Sequence, residues 1–193
     1  KQANSSWNKW KPVIIILAVV LVFGLIFGGT YNSLVAKDEA VNKAWADVET
    51  QYQRRADLIP NLVSTVKGFA AQEKEVFTEV TEARSRWSNA GSREEQIDAA
   101  NEMDSAISRL LMVKESYPEL KSNENFLSLQ DQLEGTENRI SVARQRYNEA
   151  VRAYNTKVRK FPNNLLAGMY GFETKEPFEA DDGASEPVDV NFE

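Results

Sequence analysis

The chain has 193 residues, enough for one domain with a sizeable core plus appendages, and it contains no cysteine and no histidine. Without Cys there are no disulfides or thiolate metal sites, and without His the commonest general base, transition-metal ligand and neutral-pH switch are all missing. The net charge of −6 is uneven: residues 173–193 hold eight acidic side chains and one Lys, a net of −7, so residues 1–172 carry +1 and present no basic stripe for nucleic acid.

Residues 1–12 form a short flank that precedes an uncharged run, Val13 to Gly29, VIIILAVVLVFGLIFGG. With Thr30 it reads as a transmembrane helix over 13–30, near the short limit for about 30 Å of hydrocarbon at about 1.5 Å per residue. Trp7, Trp10 and Tyr31 sit where amphipathic rings prefer headgroup level, and Pro12 suits a first helical turn. The run is long for a signal-peptide core, and no clear A-x-A site follows it. Lys1, Lys9 and Lys11 before the span, against Lys37 and Lys43 after it, lean towards a cytoplasmic N-terminus and an extracytoplasmic remainder. Inside the span, Gly24 and Gly28 form a G-x-x-x-G pair of the kind that lets two helix backbones approach in lipid; chance placement in a Gly-containing span is the plainer alternative.

Residues 31–165 read as an elongated antiparallel bundle of three to four helices, all-α throughout. A heptad register runs from Val41 through Trp45, Val48, Tyr52, Arg55, Ile59, Leu62, Val66, Phe69, Glu73, Val76, Val80 and Ala83 to Trp87. This predicts a first helical stretch over 31–88, kinked or broken at Pro60. Ser88-Asn-Ala-Gly91 ends it, and the capping box Ser92-x-x-Glu95 starts a helix over 93–115. A second box, Ser116-x-x-Glu119 with Pro118 inside, starts a helix over 118–160 whose seam runs Phe126, Leu129, Leu133, Thr136, Ile140, Ala143, Tyr147, Ala150, Tyr154, Val158. Residues 166–193 are acidic and too poor in apolar surface to fold alone, so they read as a flexible tail, with an ordered strap on a neighbour as the alternative.

The strings YNSLVAKDEAVNKAWADVETQYQRRADLIPNLV, YPELK and TENRISVARQRYNEAVRAYN, placed directly after a membrane span, resemble the LemA family of bacterial membrane proteins. The resemblance covers residues 31–172. It implies a single-pass inner-membrane protein with a helical bundle, no catalytic residues and no cofactor, and a link to membrane zinc metalloproteases that hints at membrane-protein quality control.

Candidate sites are few. Ser64 and Lys67 fit S-x-x-K, but the companion motifs of penicillin-recognising enzymes are absent. Glu73 with Glu75 and Glu134 with Glu137 repeat at helical spacing without the His that di-metal bundles use, so solvated helix faces are the better account. Arg54, Arg55, Asp57, Asn61 and Glu73 form a docking or register cluster; in the favoured reading Arg55 enters the seam because Glu73 or another carboxylate meets it. Asn138, Arg139, Arg144 and Asn148 make a second polar cluster. The leading expectation is a non-enzymatic scaffold at the lipid bilayer that forms homo-oligomers and recruits membrane partners such as a metalloprotease, with no nucleic acid. The rival is an extracytoplasmic sensor that signals through a partner receptor.

Overall fold

The computed structural model describes residues 5–178, and among them the secondary structure is helical, without strands. The helices are α1 (Ser5–Lys67), α2 (Lys74–Asn89), α3 (Arg93–Met112), α4 (Pro118–Lys121), α5 (Glu124–Arg159) and α6 (Asn163–Tyr170), with a 3-10 turn at Val113–Glu115. Contacts group the chain into two compact units, Lys1–Lys43 with Glu149–Lys175, and Ala44–Asn148 with Glu176–Glu193.

The second unit is a four-helix bundle built from α1 beyond Ala44, α2, α3 and the first part of α5. Pairings between side chains give the helix directions. Arg86 meets Glu102 and Arg109 meets Glu79, so α2 and α3 are antiparallel. Trp45 meets Tyr147 and Arg55 meets Glu137, so α1 and α5 are antiparallel as well. Gln96 bonds Glu49 and Asp104 bonds Tyr52, rising together, so α1 and α3 are parallel. The connections are short, and the topology is up-down-up-down. The heptad positions Val48, Tyr52, Ile59, Leu62 and Val66 are buried, as are Val80, Met103, Ile107, Leu110, Phe126 and Ile140 of the other helices. Burial of each large aliphatic side chain contributes about 1.5–3 kcal/mol, which is why the 3-4 spacing of apolar residues decides where these helices lie.

The first stretch is divided at a different place from the one its proline suggests. α1 continues through Pro60 to Lys67, and the chain turns at Gly68–Glu73. Pro60 has no N–H to give the carbonyl of Ala56, four residues earlier. Arg84 of α2 replaces that donor, its Nε lying 3.0 Å from the Ala56 oxygen. At the turn, Ala70 is buried and Phe69 is left exposed, so the seam slips by one residue after α1 ends. The slip carries into α2, where Phe77 rather than Val76 is buried.

Ser92 caps α3 as its motif suggests, its side chain accepting from Glu95 N at 3.2 Å while Glu95 accepts from Gly91 N at 2.8 Å. The Ser116 box forms no cap. Tyr117 occupies the N-cap of the one-turn α4 without a side-chain capping bond, and the long helix begins after Asn123, whose Oδ1 accepts from Phe126 N at 3.0 Å. Along α5 the buried seam steps from Tyr147 to Val151 and Tyr154, leaving Ala150 half-buried. A straight helix at 3.6 residues per turn drifts off a strict seven-residue repeat in this way.

In the first unit Leu34 and Val41 of α1, Tyr154 and Val158 of α5, and Leu166 and Ala167 of α6 are buried. α1 starts at Ser5, so Pro12 stands inside the helix instead of in its first turn. Gly171 closes α6 in the left-handed region at φ 74°, which lets Phe172 N return to the Ala167 oxygen at 2.9 Å. The expected flexible tail over 166–193 is corrected for its first part. Residues 166–170 belong to α6, and the chain to Phe178 is held by side-chain amides: Asn155 exchanges two bonds with Lys175, 2.8 and 2.9 Å. Residues 179–193 lie outside the described residues.

Replacing Arg84 by Met keeps the aliphatic stem and removes the donor to Ala56. Circular-dichroism melts of the full-length protein in detergent are expected to show a loss of about 1–2 kcal/mol. The loss is expected to shrink when Pro60 is also replaced by Ala, which restores the in-helix N–H; equal losses in both backgrounds would refute the pairing.

Candidate functional site

Polar side chains from three helices of the bundle meet around buried Arg55 and half-buried Asp104, with Glu137 at the surface. From α1 come Tyr52 and Arg55, from α3 Asn101 and Asp104, and from α5 Glu137 and Arg144. Asp104 is the hub. Its Oδ2 accepts from Tyr52 Oη and from Arg144 Nη2, both at 2.9 Å, and its Oδ1 lies 3.1 Å from Arg55 Nη1. Arg144 Nη2 also donates to Tyr52 Oη and, at 3.0 Å, to Asn101 Oδ1, while Arg55 Nη1 donates to Glu137. Arg55 is buried, and its Nε, Arg144 Nε and Asp104 Oδ1 have no aligned hydrogen-bond partner. The Asp104–Arg55 contact is therefore an ion pair by proximity and not a well-formed hydrogen bond.

Burial pushes the Asp104 carboxyl above the usual carboxylate range, against the opposing pull of Arg55 and Arg144. Burial, reinforced by the Asp104 charge, raises the Tyr52 phenol as well. Tyr52 thus keeps its proton, which it donates to Asp104 while accepting from Arg144.

An aromatic cluster adjoins this network. Phe178 stacks on Trp45 at 5.8 Å between ring centroids and meets the Tyr147 edge at 5.7 Å. Arg144 lies over the Phe178 ring at 4.7 Å, and Arg93 lies over Trp45 at 5.2 Å. Asn148 holds the backbone of Phe178 by two bonds, 2.8 and 2.9 Å, and Tyr147 Oη donates to Glu176 O at 2.9 Å. Burial raises the Tyr147 phenol against the pull of Arg93.

The residues singled out from the sequence scatter. Arg55 is an interior register residue, but its partners are Asp104 and Glu137, not Glu73. Glu73 sits at the α1–α2 turn and accepts from Tyr117 Oη at 2.9 Å, a bond that raises the Tyr117 phenol by favouring its proton-bearing form. Arg54, Asp57 and Asn61 are exposed, with Asp57 bonded to Gln53 on its own helix, so they do not join Arg55 in one cluster. Ser64 lies in a surface cleft with Asn61, Thr65, Asn125, Ser128, Leu129 and Gln132, where no titratable group faces it. Glu134 takes a bond from Gln130, and among the described residues no group of three or more Asp or Glu side chains is placed to hold a metal. The second cluster divides as well: Arg144 and Asn148 turn inward, while Asn138 and Arg139 line an open cleft with Asp47, Gln51 and Arg146. Gly24 and Gly28 lie within the apolar stretch of α1, and a Cβ at either would meet no atom within 4 Å.

Asp104 went unrecognised in the sequence because it sits one residue past the seam position Met103 and looks like any solvated acid. The available signal was Arg55 itself, since a guanidinium in a seam requires a carboxylate from a facing helix.

The family model described as the LemA family matches residues 44–192. Magnetosome protein MamQ 2 of Paramagnetospirillum magneticum is 28% identical over 91% of this chain and 74% of its own length. MamQ of Magnetospirillum gryphiswaldense is 26% identical over 92% of this chain and 76% of that protein. Protein LemA of Metamycoplasma hominis is 22% identical over 95% and 84% respectively.

Arg55→Met removes one of the two guanidiniums facing Asp104 and is expected to lift that carboxyl further. A folded-state value above the unfolded one means that protonation favours the fold, so stability is lost as pH rises through the raised value. The variant is expected to be about 3 kcal/mol less stable than the parent near neutral pH, with the deficit shrinking as pH falls towards about 4. Thermal melts across that range check it; a pH-independent deficit would show that the charge of Asp104 is not what Arg55 compensates.

Proposed function

We propose that this chain, which belongs to the LemA family, is a membrane-anchored scaffold without catalysis of its own, holding a helical bundle at a bacterial inner membrane. The observation that carries the reading is the surface of α1. Ile14, Ile15, Ile16, Leu17, Val20, Leu21, Phe23 and Leu25 are all exposed, and the stretch is long and apolar enough to cross a membrane. In water such a surface is strongly unfavourable; in hydrocarbon it is satisfied, because the helix already bonds its own backbone.

The bundle's interior supports the non-enzymatic part. The charges of Arg55, Asp104 and Arg144 are spent on one another and on Tyr52, Asn101 and Glu137. The clefts at the surface lined by Asp47, Asn138 and Arg139 and by Asn61, Ser64 and Gln132 are open to solvent. The relatives carry both LemA and magnetosome names, and a shared fold under both suits a helical framework better than one fixed chemistry.

In this reading the chain crosses once, with its N-terminus in the cytoplasm and the bundle outside, as the lysines flanking the span favour. Copies associate through Gly24 and Gly28, where open space around both glycines leaves their backbones available to a second helix. The assembled bundles then recruit other membrane proteins, among them a metalloprotease of the kind the family resemblance implies.

Light scattering of the full-length protein in mild detergent is expected to give the mass of an oligomer, and the pair Gly24→Leu with Gly28→Leu is expected to reduce it to a monomer at unchanged helix content. A monomeric parent protein, or an oligomer indifferent to both substitutions, would refute association through this face. Protease digestion of intact spheroplasts is expected to remove the bundle; its protection would reverse the orientation.

A further inference from the structure

α6 and the turn before it present an apolar stripe that their own unit does not cover. Phe161, Leu165 and Met169 follow one another at four-residue spacing and are 76%, 61% and 73% exposed. The opposite side of the helix is already used, since Leu166 and Ala167 are buried. No charged residue occurs from Phe161 to Phe172, FPNNLLAGMYGF, while Lys157, Arg159 and Lys160 stand immediately before it. Arg159 and Lys160 are exposed.

The position of this stripe is set by Tyr31, the residue that follows the apolar run of α1. The Tyr31 ring meets Tyr170 edge-on at 4.9 Å and Phe172 at 6.0 Å. An eight-residue helix is only about 12 Å long, so the whole of α6 lies close to the end of the span.

We propose that α6 is a second membrane contact: an interfacial helix that lays Phe161, Leu165 and Met169 against the lipid surface beside the end of the α1 span. The proposal rests on the membrane-anchor reading above. Three features favour lipid as the occupant. The Tyr31–Tyr170–Phe172 rings hold α6 at the end of the span, and tyrosines at that level match the preference of amphipathic rings for headgroups. The cations at 157, 159 and 160 complement anionic headgroups, whereas an acidic residue there would oppose them. The stripe is also small: two eight-residue helices meeting face to face would bury far less than the roughly 1,000 Å² of a stable protein interface. Against lipid no such threshold applies, because the span already holds the chain there and α6 adds only its own transfer. The consequence is that the first unit is tied to the bilayer surface as well as threaded through it.

The absence of cysteine makes the test direct. Single variants Leu165→Cys and Met169→Cys of the full-length protein are labelled with an environment-sensitive fluorophore and reconstituted in phosphatidylcholine–phosphatidylglycerol vesicles. Val20→Cys in the span and Asp131→Cys on the exposed face of α5 serve as references. Lipids carry a nitroxide either just below the headgroup or near the chain end. The labels at 165 and 169 are expected to be blue-shifted relative to 131 and quenched most by the shallow nitroxide, with 20 quenched most by the deep one. If 20 is quenched while 165 and 169 behave like 131, α6 does not touch lipid and the proposal fails with the anchor intact. If 20 is also unquenched, the anchor reading itself fails. A blue shift at 165 without lipid quenching, reversed when protein is diluted in lipid, would assign the stripe to a second copy and overturn the proposal.

Discussion

Asp104, set between two guanidiniums and a phenol, is the constraint on which the bundle's register depends. A carboxylate in this interior is tolerable only where Arg55, Arg144 and Tyr52 arrive together, and they come from two different helices. Sliding α1, α3 or α5 by one turn moves a partner by about 5.4 Å and leaves a buried charge alone, which costs several kcal/mol. Apolar contacts such as Ile59, Met103 and Ile140 supply the driving force, but they tolerate repacking in several arrangements. The ion cluster adds little net stability after desolvation; what it contributes is the choice of one arrangement.

Elsewhere the same requirement, that buried polar backbone be paired, explains placements that hydrophobic pattern does not. Arg84 bonds the Ala56 carbonyl that Pro60 strands. Asn123 caps α5. Asn148 and Asn155, seven residues apart and so on one side of α5, each offer an amide that donates to a carbonyl and accepts from an N–H. An extended segment without a neighbouring strand needs such partners, and residues up to Phe178 find them. Lys175 adds an ion pair with Asp38 at 2.6 Å and lies over the Tyr154 ring. The backbone pairing that a neighbouring strand would give is thus supplied by side chains.

These features bear on function through what they leave unoccupied. Interior charges are consumed in holding helices, so the surfaces that remain for the outside world are the apolar part of α1, its Gly24–Gly28 face and the stripe on α6. On the reading proposed above, all three serve lipid or other helices in lipid, as a chain that holds and positions would need.

The apolar run at 13–30, the four-residue and three-residue steps of the helix seams, the Ser92 cap and the all-α class could be read directly, because each rests on local spacing and on burial that repeats along one helix. The family could be read from its long strings. Partner identity could not. Arg55 in a seam announced a carboxylate, but the choice between Glu73 and Asp104 depends on which helix faces which, and that is settled only when α1 ends at Lys67 and α3 returns parallel to it. Whether Pro60 kinks or breaks the helix was open, because local rules count its missing N–H against the helix; Arg84, 24 residues on in α2, supplies a donor to the stranded carbonyl through space. The tail looked flexible because composition measures what a segment can bury by itself, whereas Phe178 is buried against Trp45, Tyr147 and Arg144, which belong to the bundle. Periodicity along one chain segment determines which side of a helix is buried; only the packed structure decides what that side is buried against.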